Sequence, residues 1–191
     1  PVVSNEIQPD DPQDAADWVE LANTGQADVD LAGWKLRDDK NESTIASGYV
    51  VPAGGYLVLS KDAGFSFGLG KSGDEVHLLL PDGTVVDEYA FTELPPGASN
   101  ASWGRCPDLT GDFGPTAAQT PGEANSCAPD PATSLVINEV ESDGGDPADW
   151  IELANTSYLP VDASGLILRD NDDTHTFTIP TGTTIPAYGF A

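Results

Sequence analysis

Asp17-Trp18-Val19-Glu20-Leu21-Ala22-Asn23-Thr24 returns further along the chain as Asp149-Trp150-Ile151-Glu152-Leu153-Ala154-Asn155-Thr156. Extended to 17–38 over 149–170, the two stretches agree at 13 of 22 positions without a gap, through Val29-Asp30 and Val161-Asp162, Gly33 and Gly165, and Leu36-Arg37-Asp38 and Leu168-Arg169-Asp170. Upstream, Asn5-Glu6-Ile7 matches Asn138-Glu139-Val140 after one gap; downstream, Thr44-Ile45 and Val51-Pro52-Ala53 match Thr178-Ile179 and Ile185-Pro186-Ala187. Agreement of this length marks an internal repeat, one structural unit used twice.

The repeat reads as β structure. Trp18, Glu20 and Ala22 alternate with Val19, Leu21 and Asn23, and Trp34 and Leu36 with Lys35 and Arg37, the period of two that turns one face to a core. The spacing predicts strands over 2–7, 18–23, 34–37, 43–46, 56–60, 75–80 and 85–91, with a tight hairpin at Pro81-Asp82-Gly83-Thr84. Seven short strands separated by turn formers suit an antiparallel two-sheet sandwich. The 20 Gly and 16 Pro punctuate the chain too often for a helical bundle.

The first unit continues through Tyr56-Leu57-Val58-Leu59, Phe67-Gly68-Leu69-Gly70 and the strands at 75–80 and 85–91, whereas the second reaches Ala191 opposite Leu57. The expected organisation is a first sandwich over 1–127, with its core in 1–92 and a C-terminal extension behind it. A Pro-rich extended linker at 128–133 follows, and then a second unit over 134–191 with only the N-terminal two-thirds of the repeat. Such a unit should expose an unfinished apolar face and an unpaired strand edge. A strand-swapped homodimer is one way to cover them, and a longer natural chain is another. The chain opens with Pro1 and has no Met, the look of a processed or excised segment.

Composition narrows the functions. Seven Lys and Arg against 32 Asp and Glu give a net charge of −25, which repels a phosphate backbone and disfavours direct nucleic-acid binding. No apolar run approaches the roughly 20 residues of a membrane span. Cys106 and Cys127 stand without a CxxC or a neighbouring His and read as one disulfide, worth roughly 3 kcal/mol in the chain-entropy model, in an oxidising compartment. Two unpaired surface thiols are the alternative.

Few residues offer chemistry. His77 and His175 are the only histidines, and there is no HExxH, GxSxG or phosphate-cradling Gly loop, so the reading is not an enzyme. His77 is expected on the solvent face of its strand. Asp10, Asp11, Asp14 and Asp17 crowd one loop, and Asp143, Asp146 and Asp149 its counterpart, with Asp38-Asp39 and Asp170-Asp172-Asp173 as second clusters. Clustered loop carboxylates are what Ca²⁺ needs, and they equally make solvated turns. No cofactor is required by the sequence; Ca²⁺ is the one to test.

Glu6 and Glu20 recur as Glu139 and Glu152, and the expected role is to accept backbone N–H bonds from a neighbouring loop. Asn23 and Asn155 are expected to make the turn after their strand. Trp18, Trp150 and Trp34 are expected in the core; Trp103, outside the repeat, either pins the extension or, if exposed, offers a carbohydrate platform.

The order Asn5-Glu6-Ile7, Asp17-Trp18-Val19-Glu20-Leu21, Val29-Asp30-Leu31 with Gly33-Trp34, Pro52-Ala53-Gly54-Gly55-Tyr56-Leu57 and Asp82-Gly83-Thr84-Val85-Val86-Asp87 resembles the lamin tail domain in its bacterial form. The resemblance spans nearly all of the first unit and the N-terminal part of the second, where Leu166 replaces the usual Trp. Ser102-Trp103-Gly104-Arg105-Cys106-Pro107-Asp108 with Thr120-Pro121-Gly122-Glu123-Ala124-Asn125 is similar to tails that follow such domains in secreted bacterial proteins. The resemblance implies an immunoglobulin-like β-sandwich without catalysis of its own, secreted or at the cell surface. It also implies a place beside extracellular hydrolases and a protein or cell-envelope partner. A Ca²⁺-dependent or carbohydrate-binding module is the alternative.

Overall fold

The computed structural model describes residues 1–9, 16–142, 144, 149–172 and 174–191. It divides into two units, Pro1–Cys127 and Ala128–Ala191.

In the first unit the described residues form eleven strands: β1 (Val2–Gln8), β2 (Trp18–Asn23), β3 (Val29–Asp30), β4 (Lys35–Arg37), β5 (Glu42–Thr44), β6 (Val50–Val51), β7 (Tyr56–Ser60), β8 (Gly73–Leu79), β9 (Val85–Thr92), β10 (Trp103–Cys106) and β11 (Asp112–Pro115). One sheet runs β11-β10-β1-β2-β7, another β5-β4-β8-β9, and β3-β6 makes a short ribbon. All the paired strands are antiparallel. Ile7, Val19, Leu21 and Leu59 from the first sheet meet Leu36, Val76, Leu78 and Phe91 from the second in one apolar core. That arrangement is the antiparallel β-sandwich the alternating pattern called for.

Two features depart from the sequence reading. β2 is buried at every position, not on one face only. The reason lies in the extension, whose residues lie over the face of the sheet turned away from the core: Gly122 meets Glu20 there, and Ala101 meets Gln8. The extension also contributes β10 and β11, which its Gly, Pro and Asp content concealed. β10 joins the outer edge of β1 with Glu6 opposite Gly104 and Ile7 opposite Trp103.

The unit begun at Ala128 opens with α1 (Pro131–Ser134), followed by β12 (Leu135–Glu141), β13 (Trp150–Asn155), β14 (Val161–Asp162), β15 (Ile167–Arg169), β16 (Thr176–Thr178) and β17 (Thr184–Ile185). The helical turn corrects the expected extended linker at 128–133. Asp130 caps it by accepting the Ala132 N–H at 2.9 Å, and Pro131 fills a first-turn position where its missing N–H costs nothing.

β12 and β13 reproduce the β1–β2 hairpin residue for residue. Val2 faces Asn23 and Leu135 faces Asn155; the register slips once in each, between Ser4 and Glu6 and between Ile137 and Glu139. Phe190 bridges Ala154 as Tyr56 pairs Ala22. Among the described residues β12 pairs only with β13 and β15 only with β16, so the edges that β10 and β8 occupy in the first unit stay unpaired.

Candidate functional site

In the first unit, β1 and β2 set three polar side chains side by side on the sheet face away from the core. The slip in register at Asn5 turns its amide toward Glu20, to which it donates at 2.9 Å. Asn5, Glu6 and Glu20 are all fully buried. A carboxylate in that position is tolerable only if donors surround it.

The extension brings those donors. Glu6 accepts from the Ser102 hydroxyl and from Thr120 through both N–H (3.1 Å) and Oγ1 (3.0 Å). Glu20 accepts the Gly122 N–H at 2.6 Å. Asn125 donates to the Asn5 carbonyl at 2.9 Å and to the Arg105 carbonyl at 3.0 Å, and Asp108 accepts from the Tyr56 hydroxyl (2.7 Å) and the Asn125 N–H (3.0 Å). Burial pushes the Glu6 carboxyl up and carries Glu20 to about 7, against the pull of these bonds. Both glutamates thus accept backbone N–H bonds from a loop, as the sequence suggested. The loop is the Thr120-Pro121-Gly122 turn, far away in sequence.

Apolar and ionic contacts hold the same segment from its other side. Trp103 is 9% exposed and donates its indole N–H to the Thr92 carbonyl at 3.2 Å, so it pins the extension and offers no sugar platform. Tyr89 stacks on Phe113 with centroids 4.1 Å apart, and the Arg105 guanidinium lies 4.8 Å over the same Phe113 ring. Arg105 also bonds Asp87 on β9 at 2.9 Å, joining the two sheets. Cys106 and Cys127 close the extension with a disulfide, compatible with an extracellular location. Gly104 has no room for a side chain, since a Cβ there would lie 2.7 Å from the Thr116 methyl and 2.8 Å from the Asn125 amide.

The second unit keeps the polar constellation and lacks the cover. Asn138 donates to Glu152 at 2.7 Å, as Asn5 does to Glu20. Asn138 and Glu139 are exposed, Glu152 is half-buried, and among the described residues no donor reaches Glu139. The apolar positions beside them lie open: Ile137 is 61% and Val140 57% exposed, where Ile7, the counterpart of Val140, is fully buried. Behind β12 lies a groove of about 210 Å³ lined by Leu135, Ile137, Leu153, Leu166, Leu168 and Ile179. Trp150 is half-buried instead of core.

The acidic loops are engaged locally where the structure describes them. Asp10, Asp11, Asp14, Asp143 and Asp146 lie outside the described residues. Asp17 accepts the Leu69 N–H at 2.7 Å, and Asp149 the Gly144 N–H at 3.1 Å. Asp38 accepts from the Asn41 side chain and from the Lys40 N–H, which together outweigh its desolvation and lower its pKa. Asp38, Asp39 and Asp74 bring carboxylate oxygens within 4.8 Å of one another, a grouping the sequence spacing hid because Asp74 stands on β8 and the other two just past the end of β4. Asp74 itself accepts the Gly70 N–H at 2.8 Å.

His77 is not the solvent-facing residue expected. Its side chain is 13% exposed and lies between Glu75 and Glu88, each 3.0 Å away, with Arg37 Nη2 3.3 Å from Nδ1. Cross-strand register explains this, because Arg37, His77 and Glu88 stand in one row across β4, β8 and β9. Asn23 and Asn155 do make the expected turns. Asn23 donates to the Ala27 and Val51 carbonyls, and Asn155 to those of Leu159 and Ile185.

A lamin tail domain family model matches residues 1–93 and 128–191. The chain belongs to the lamin tail domain family. No curated protein matches it in sequence. The lamin tail domain is a non-catalytic module, and the match takes in both hairpins with their Asn-Glu pairs. It stops at the start of the extension, so the donors that complete the Glu6–Glu20 cradle lie beyond the matched residues.

Proposed function

We propose that this chain carries two tandem lamin tail domains and serves as a non-catalytic attachment module of a secreted or cell-surface bacterial protein. The observation that carries this reading is the contrast in cover. The first unit is closed by its disulfide-stapled extension, while the second presents an unpaired strand edge beside exposed Ile137, Val140 and Ile151. Contiguous apolar surface of this kind next to a free edge is what an interaction site offers. The charge of −25 keeps the module off anionic surfaces such as nucleic acid.

The test is retention of the labelled chain on bacterial cell-envelope preparations, with Ile137→Lys/Val140→Lys as the control. A drop of tenfold or more in the variant supports attachment through the second unit. Equal retention, or none by the unaltered chain, overturns it.

A further inference from the structure

We propose that the Asn138, Glu139 and Glu152 cradle and the free edge of β12 bind an extended polypeptide segment with the chemistry of residues 102–125. Such a segment has a hydroxyl residue leading into a small-residue strand, followed by a Thr-Pro-Gly turn whose N–H groups meet carboxylates. The inference rests on the attachment reading and specifies what is attached.

The first unit shows what the cradle is built to hold. There the hairpin provides two carboxylates and the Asn5 carbonyl as acceptors, and the docked segment answers with donors: the Ser102 and Thr120 hydroxyls, the Thr120 and Gly122 N–H groups and the Asn125 amide. In return the Asn5 amide donates to Asp108 and Gln8 to the Ala101 carbonyl. β10 meanwhile continues the sheet from the β1 edge. The second unit repeats the receiving half. Its hairpin has the same register and the same slip. Its Asn138 holds Glu152 as Asn5 holds Glu20, although nothing is docked against it, so the carboxylate is oriented in advance of any partner.

The occupant lies outside residues 1–191. Residues 102–125 of this chain, or of a second copy, are already committed to Glu6 and Glu20, and withdrawing them would strip two buried carboxylates of their donors. The match is also selective in one detail. Phe190 stands where Tyr56 donates to Asp108, so an acidic residue at the position of Asp108 loses its hydroxyl partner and keeps only the amide of Asn138, the counterpart of Asn5, and the Ser, Thr and Gly donors carry most of the recognition.

The probe is a synthetic peptide of residues 99–127 with its disulfide closed, titrated into the full chain and followed by fluorescence anisotropy. One peptide is expected to bind per chain. Glu139→Gln/Glu152→Gln should weaken it at least tenfold, as should a peptide with Thr120-Pro121-Gly122 replaced by alanines. Both glutamates are exposed or half-buried, so the variant is expected to fold. Failure of the peptide to bind, or binding unchanged by either alteration, overturns the inference. So does a self-associating dimer from which the peptide is excluded, because the occupant would then be a second copy. Envelope retention lost in Ile137→Lys/Val140→Lys but kept in Glu139→Gln/Glu152→Gln would leave attachment standing and remove this inference alone.

Discussion

The β1–β2 and β12–β13 hairpins share their register, their bulge and their Asn-to-Glu hydrogen bond, yet one is sealed on both faces and the other, buried only toward the end of β13, is largely open along β12. The hairpin itself therefore does not decide burial. In the first unit β8 and β9 complete the facing sheet and the extension covers the reverse side; the described residues of 128–191 supply neither. Local sequence fixes which residues pair, and the burial of those same residues is set by segments well separated from them along the chain. The equivalence of the two hairpins makes each the control for the other.

The largest expected difference comes from one equivalent pair of positions. Ile7→Ala removes a fully buried side chain from the core and should cost the first unit about 2–5 kcal/mol. Val140→Ala, at a position 57% exposed, should change the second unit by less than about 0.5 kcal/mol. Denaturant-dependent hydrogen exchange, resolved to β1 and β12, measures both. Comparable losses at the two sites would mean that β12 is covered in solution, and the contrast between the units would fail.

Much of this architecture was legible in the sequence, and the gaps have physical causes. The strands over 18–23 and 56–60 were found to the residue, because the two-residue period of Trp18 to Asn23 and the apolar run at Tyr56 are local signals. The turn role of Asn23 and Asn155 and the acceptor role of Glu6 and Glu20 were also readable, since a polar residue repeated inside an apolar strand needs a partner. Which partner was hidden. Thr120-Pro121-Gly122 lies about a hundred residues from Glu20, and nothing local to either end records that contact. β10 and β11 escaped because Trp103-Gly104-Arg105-Cys106 and Asp112-Phe113-Gly114-Pro115 lack β-branched residues and each contains a glycine, at Gly104 one that close packing requires. The turn at Pro131 did have a signal, Asp130 ahead of a first-turn Pro, which the Pro-rich composition masked.

The cover over Glu20 should leave a signature in pH. Burial carries its carboxyl from 4.5 to about 7 in the folded chain. The folded state therefore holds a proton that the unfolded state has released between those values, and stability falls as pH rises through that window. The contribution is complete below about pH 4.5 and gone above about 7, on the order of 3 kcal/mol in all, with Glu6 acting in the same direction. Melting between pH 4 and 8 should show the unaltered chain losing stability relative to Glu20→Gln as pH increases. A difference that stays flat would show that the extension does not desolvate Glu20, and the buried cradle would lose its physical basis.

The smallest effect sharpens the comparison from the other sheet. Lys35 on β4 and Ile167 on β15 are equivalent, and Lys35 reaches Glu42 at 2.7 Å while Ile167 is 64% exposed. A surface ion pair of this kind adds at most about 1 kcal/mol, so the first unit gains little from its lysine. Ile167→Lys places the first unit's residue on the second unit's β15. Because Ile167 buries little, the change should leave unfolding within about 0.5 kcal/mol of the original. It should also reduce the binding of an apolar dye to the open face of the second unit. A loss of several times that size would show that Ile167 is packed against something in solution, on the side of the sheet where β8 lies in the first unit. The missing cover would then be a second sheet as well as an edge strand, and the partner larger than the segment proposed for β12.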